Sequence, residues 1–202
     1  FRSSAASDVY KRQVEKFIES LSDKIEAIAV MGGTTVSSEL IKKLPKLKII
    51  ANYGVGYDAV DVKQATLSNV KVTNTPDVLN DEVADTAIAL TLCVYKNIAL
   101  ANQFLLEKKW LKSEYPLSKK FSGTKFGILG MGRIGKTIAK RIESFNCEIC
   151  YHSRNQKDVK YKYFSKLEDL AEYVDTLCVI TPGGEETKHL VNANVLQKLG
   201  KN

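Results

Sequence analysis

Apolar residues recur along this chain in short blocks separated by glycine, proline and polar clusters, and the spacing within the blocks changes from one to the next. Val14, Phe17, Ile18 and Leu21 fall on one side of a helix. EAIAVMG is a brief apolar run closed by Gly32-Gly33 and predicts a buried strand. Ser37-Ser38 can cap a helix through Leu44, with Pro45 as its stop. LKIIANYG and VKVTNTP predict two further strands. Asn80 reads as an N-cap, with Asp81 and Glu82 in the first turn, where the helix dipole favours acids. From Val83 to Tyr95 the pattern is apolar nearly all round and predicts a helix buried between layers. Asn97 to Trp110 is more amphipathic, with Leu100, Phe104 and Leu105 on one side. After the polar stretch KSEYPLSKKFSG, a strand (KFGILG), a helix (KTIAKRIESF), a strand (CEICYH) and a later strand (TLCVIT) follow. Strands alternating with helices predict a parallel sheet built from βαβ units.

Composition adds little. The 202 residues, 44% hydrophobic and 26% charged, are ordinary for a globular α/β chain of one or two domains. The run from Thr86 to Tyr95 is too short for a membrane span, which takes about 20 residues. The net charge of +7 comes from scattered lysines, not interleaved with aromatics, so neither a nucleic-acid nor a membrane surface is expected. Cys147 and Cys150 form a CxxC, but in a strand residues three apart face opposite sides, and no second pair completes a metal site. No metal is expected, and the cysteines read as reduced packing residues of a cytoplasmic protein. Residues 1–13 lack periodicity and resemble translated adapter sequence, and VLQKLGKN stops just past a helix pattern. The expectation is a piece truncated at both ends.

Chemistry enters at Gly130-Met131-Gly132-Arg133-Ile134-Gly135, which ends one strand and opens a helix. A GxGxxG in that setting is the fingerprint of a dinucleotide site. Glycine is wanted for the tight turn, for backbone approach to the pyrophosphate and for close helix–strand packing. The amides of Arg133 and Ile134 would then face the phosphates at the helix N-terminus. An NAD site usually places Asp or Glu after the second strand to hold the ribose hydroxyls. Here the stretch is YHSRNQK, with Ser153, Arg154 and Lys157 at the tip. An acid there would repel the 2′-phosphate of NADP, whereas Arg154 can donate to it. The expected cofactor is NADPH, with NADH as the alternative.

Several stretches in order, NYGVGYD at 52–58, Asn74-Thr75-Pro76, NDEVADTAIAL, GILGMGRIG and TPGGEET at 181–187, resemble the D-isomer-specific 2-hydroxyacid dehydrogenases, and within them the NADPH-preferring glyoxylate/hydroxypyruvate reductase branch. The resemblance implies an α/β protein: a Rossmann-type doubly wound parallel sheet plus a flavodoxin-like α/β substrate domain, with the active site in the cleft between them. The division is expected near Tyr95 to Ile98, giving a substrate domain over 14–96 and a cofactor domain over 97–202. The resemblance further implies that amides at Val55 and Gly56 hold the substrate carboxylate. Thr75 would approach the cofactor from the substrate-domain side, and Thr181 and Pro182 would line its adenosine side. A homodimer through the helix around 97–110 is implied as well.

The family's catalytic Arg, and its His supported by a Glu, are expected beyond Asn202. Only His152 and His189 are present; neither has an evident carboxylate orienter, and both read as non-catalytic. The leading expectation is therefore an oxidoreductase for a small 2-oxo acid, with no catalytic residue in this chain and the piece itself inactive. The alternatives are a dinucleotide-sensing corepressor on the same fold and an NAD-dependent phosphoglycerate or formate dehydrogenase relative. A basic cofactor loop argues against both.

Overall fold

The computed structural model describes residues 16–31 and 33–200. The adapter-like segment 1–13 and Gly32 lie outside the described residues. Packing divides the chain into two compact units, one up to Pro76 and one from Asp77.

In the first unit, residues 16–20 are helical, and three strands follow, β1 (Ala27–Met31), β2 (Ile49–Tyr53) and β3 (Lys71–Thr73), with α1 (Ser38–Lys42) and α2 (Val62–Leu67) between them. All pair in parallel in the order β1-β2-β3. Strands on one side of the switch point of a flavodoxin-like sheet run in sequence order in this way. Ser37 caps α1 as its side chain accepts from Leu40 N at 3.3 Å, and Asp61 caps α2 by accepting from Gln64 N at 2.8 Å. Val30, Val36, Ile41, Leu44, Ile50, Val60 and Ala65 form the core.

The second unit opens with α3 (Asn80–Tyr95) and α4 (Ile98–Leu106) and a short 3-10 turn at Lys109–Leu111. There follow β4 (Lys125–Leu129), α5 (Arg133–Ile142), β5 (Glu148–His152), β6 (Lys162–Tyr163), α6 (Leu167–Tyr173), β7 (Thr176–Val179) and α7 (Ala193–Leu199). The sheet is parallel throughout in the order β6-β5-β4-β7. In order of appearance that is 3-2-1-4, the arrangement of a dinucleotide-binding sheet up to and past its switch point. Strand alternation feeds two cores. Phe126 and Ile128 of β4, with Ile149 and Tyr151 of β5, pack toward Ala84, Ile138 and Ile142. Leu129 and Cys150 point the other way, against Leu167, Leu170, Ala171 and Val195.

Three expectations are corrected. The division falls before α3, not near Tyr95 to Ile98, because Ala84, Ala87, Ile88, Leu92 and Tyr95 pack on the core of the second sheet. Arg141 of α5 ties α3 down further by ion pairs to Asp81 and Asp85. Secondly, α3 is not buried all round: Leu90 is 63% and Val94 74% exposed. Thirdly, Asn80 is the first helical residue and not the cap; Leu79 holds the cap position, and Asn80 Nδ2 donates to Asp77 Oδ1 at 3.0 Å. Among the described residues no single helix is long and apolar enough to cross a membrane; α3 and α4 together would be, but they are bent by 58° at their break.

Candidate functional site

The glycine turn sits at the carboxyl end of β4, flanked by β5 on one side and β7 on the other. That is the crevice where open α/β sheets bind ligands. Gly130 has φ +109°, and a Cβ there would stand 2.5 Å from the Ile180 carbonyl oxygen. A Cβ at Gly135 would overlap the Gly130 carbonyl oxygen. These two glycines let α5 and the end of β7 close on the strand. Gly132 differs. Its φ of −84° suits any residue, and nothing lies within 4 Å of where a Cβ would be. Neither backbone strain nor a neighbouring atom requires glycine at 132, and a side chain there would enter open space at the turn.

Gly132 is also the N-cap of α5, with no side-chain cap bond and no acid in the first turn. The first intrahelical bond runs from Lys136 N to Gly132 O at 3.0 Å. The amides of Arg133, Ile134 and Gly135 thus precede the first bond of the ladder and face the opening, as an anion site at a helix N-terminus requires. The Arg133 side chain is committed elsewhere, its Nε lying 3.1 Å from Asp77 Oδ1. A dinucleotide pyrophosphate fits this cradle.

The basic loop is closed from beneath by Tyr151. This fully buried side chain accepts from Lys157 N at 2.8 Å and donates to Lys157 O at 3.1 Å. Ser153 Oγ donates to Asn155 O at 2.7 Å, and Tyr163 Oη donates to Ser153 O at 3.3 Å. The guanidinium of Arg154 is 85% exposed and pairs with Glu186, Nη1 to Oε2, at 2.8 Å. Thr181 lines the turn, its Cγ2 3.3 Å from where a Gly130 Cβ would be. Pro182 O accepts from Thr187 Oγ1 at 2.6 Å, so Thr187 staples the loop after β7. His152 is committed too, its Nδ1 2.9 Å from Phe164 O, and His189 is exposed on a connection at φ +56°.

The turn at Val55 and Gly56 belongs to the first unit, just past β2. Asn52 Nδ2 donates to Gly54 O at 3.2 Å and Gly56 O at 2.9 Å, Asn74 Nδ2 donates to Val55 O at 2.9 Å, and Thr75 N donates to Gly54 O at 3.0 Å. Three successive carbonyls are therefore held inward. A planar trans peptide sets each C=O opposite the N–H that follows it, so the amides of Val55, Gly56 and Tyr57 project outward. Successive outward amides make an anion nest. Asp58 stands beside it, its Oδ1 3.1 Å from where a Cβ at Gly56 would be. What the structure shows of Thr75 is this role within its own unit. Sequence reasoning missed Asn52, which is only 7% exposed. An unexpected amide at the end of an apolar strand was the available signal.

Cys147 and Cys150 pack in different cores, as strand alternation requires. Burial, and secondarily the nearby Glu148, push the Cys150 thiol up to about 11, and burial raises Cys178 as well.

Residues 88–202 match the family described as D-isomer specific 2-hydroxyacid dehydrogenase, NAD binding domain. A glyoxylate/hydroxypyruvate reductase A of Arabidopsis thaliana is 40% identical over 184 residues, covering 91% of this chain and 59% of that protein. A hydroxyphenylpyruvate reductase of Plectranthus scutellarioides is 40% identical over 185 residues, again 91% of this chain and 59% of the relative. Among solved structures, the NADPH-dependent glyoxylate/hydroxypyruvate reductase of Sinorhizobium meliloti, in complex with NADP and malonate, superposes with a TM-score of 0.82 at 44% identity, over 87% of this chain and 56% of that one. The chain thus spans about three-fifths of the length of these curated relatives.

Proposed function

Because the chain belongs to the D-isomer specific 2-hydroxyacid dehydrogenase family, we propose that it is part of an oxidoreductase that reduces a small 2-oxo acid, of the glyoxylate or hydroxypyruvate type, to the D-2-hydroxy acid with NADPH. The cofactor would supply the hydride. The chain's own residues bind and orient. Gly130, Gly132 and Gly135 shape the turn, and the amides of Arg133 and Ile134 receive the pyrophosphate at the start of α5. Ser153, Arg154 and Lys157 form the 2′-phosphate end, and Thr181 and Pro182 flank the adenosine. The outward amides of Val55 and Gly56 hold the substrate carboxylate. Neither histidine is assigned an acid–base role, so the chain by itself binds without turnover.

The observation that carries this reading is the combination of an open cradle at Gly132 with a stretch directly after β5, Ser153 to Lys157, that holds Arg154 and Lys157 and no acid. One charge-assisted bond to a phosphate is worth about 1.5–3 kcal/mol, or about ten- to a hundredfold in affinity. Fluorescence titration tests it. NADPH is expected to bind at least about tenfold tighter than NADH, and Arg154→Ala to erase the gap. Equal or tighter binding of NADH would return the NAD-type dehydrogenases and the corepressors as readings. A homodimer is proposed from the exposed apolar residues of α4 and the turn after it, Ile98, Leu100, Leu105 and Trp110. Sedimentation as a monomer at micromolar concentration would remove it.

A further inference from the structure

The loop after β7 carries a residue that the cofactor reading leaves unused. Arg154 follows β5 and Glu186 follows β7, and β4 lies between those two strands in the sheet. Their 2.8 Å ion pair therefore joins the two lips of the crevice into which β4 delivers the glycine turn. Both loops are braced independently of it. Tyr151 closes the first on Lys157, and Thr187 staples the second on Pro182 and Gly184. The neighbouring Glu185 is turned to Lys188, its Oε1 lying 3.8 Å from Nζ. One braced loop thus presents a cation, the other an anion, and the two meet where the 2′-phosphate is expected.

We infer that Glu186 is a cofactor-specificity residue, which competes with the 2′-phosphate for Arg154 and so sets how strongly NADPH is preferred over NADH. The inference rests on the NADPH reading above. A phosphate arriving at Arg154 either displaces the carboxylate, losing an ion pair, or sits beside it, placing two anions close together. Both penalties fall on the phosphorylated cofactor alone. NADH presents a neutral ribose hydroxyl and leaves the pair closed. Glu186 thus moderates a preference that Arg154 creates.

The test is a titration of the full chain with NADPH and with NADH at low ionic strength, where exposed charges are least screened. Four proteins are compared: wild type, Glu186→Gln, Arg154→Ala and the double variant. Both side chains are at least 80% exposed, and circular dichroism checks that each variant folds. Glu186→Gln is expected to bind NADPH about two- to fivefold tighter, the range set by an exposed ion pair. Its NADH affinity should stay unchanged, and the gain should vanish in the Arg154→Ala background. An NADPH affinity that is unchanged or weaker in Glu186→Gln overturns the inference, as does an equal gain for NADH. If Arg154→Ala leaves NADPH binding intact, the NADPH reading fails first. If Arg154→Ala weakens NADPH while Glu186→Gln does not strengthen it, only the role of Glu186 fails.

Discussion

Alanine at Gly132 and alanine at Gly135 should do opposite things, one harming binding and the other folding. At Gly135, in the first turn of α5, the new methyl would overlap the Gly130 carbonyl oxygen. Ordinary helix propensity favours alanine over glycine by about 0.8–1 kcal/mol. Overpacking costs about 1–3 kcal/mol, and against backbone, which cannot swing aside as a side chain does, the upper part of that range applies, about 2–3 kcal/mol. The clash wins, and a net loss of about 1–2 kcal/mol should lower Tm by about 3–8 °C for a unit of this size. At Gly132 no atom lies within 4 Å of the methyl and φ is relaxed. Alanine is a poorer N-cap than glycine, but it also restricts the unfolded chain, worth about 0.4–1 kcal/mol in the other direction. These small terms oppose, so Tm should stay within about 2 °C. The methyl would nevertheless fill the space through which, on the proposed function, a phosphate reaches the amides of Arg133 and Ile134. Losing one such bond should weaken NADPH by about ten- to a hundredfold. Thermal melts by circular dichroism and fluorescence titrations of both variants are the assay. Wild-type NADPH affinity in Gly132→Ala would refute the cradle, and a wild-type melt in Gly135→Ala would refute the close approach.

Three further outcomes follow from the packing. Asn52→Leu removes the donor to both Gly54 O and Gly56 O, which should cost about 1–3 kcal/mol of stability; it should also abolish the amide shifts that oxalate induces at Val55 and Gly56 by NMR, and retention of those shifts would show that Asn52 does not hold the nest. The exposed Cys93 should react with iodoacetamide in the native protein while the buried Cys150 does not, as peptide mass spectrometry will show. With its folded value raised to about 11, Cys150 contributes stability that is complete below the ordinary thiol range and is lost as pH rises toward 11. Cys150→Ala should accordingly flatten the alkaline fall in Tm, and an unchanged slope would count against that coupling.

Much of the second sheet was readable in advance because its signals are local. Phe126, Ile128 and Ile149 alternate with residues of the other face, and the three glycines stand at fixed offsets between a strand and a helix. Helix α3 was harder. Its apolar residues mark it as a packing helix, yet nothing in the pattern says which sheet it packs on, and Leu90 and Val94 read as core when they are surface. The turn at Val55 and Gly56 was legible from its flanking glycines. The inward grip of Asn52 and Asn74 was not, because an asparagine carries no periodicity. The pairing of Arg154 with Glu186 joins residues far apart in sequence, and only the strand order brings them together.

The hydroxyl of Tyr151, bonded to both the N–H and the C=O of Lys157, makes the tip at 153–156 a socket hung from a closed ring. Its shape is set by an aromatic side chain beneath it and by backbone at its far end, with Arg154 taking no part in the closure. Residues at the tip can therefore be exchanged with little penalty to the sheet that carries them. On the proposed role of Arg154, a change of dinucleotide preference would need only one or two substitutions there and no rebuilding of the fold.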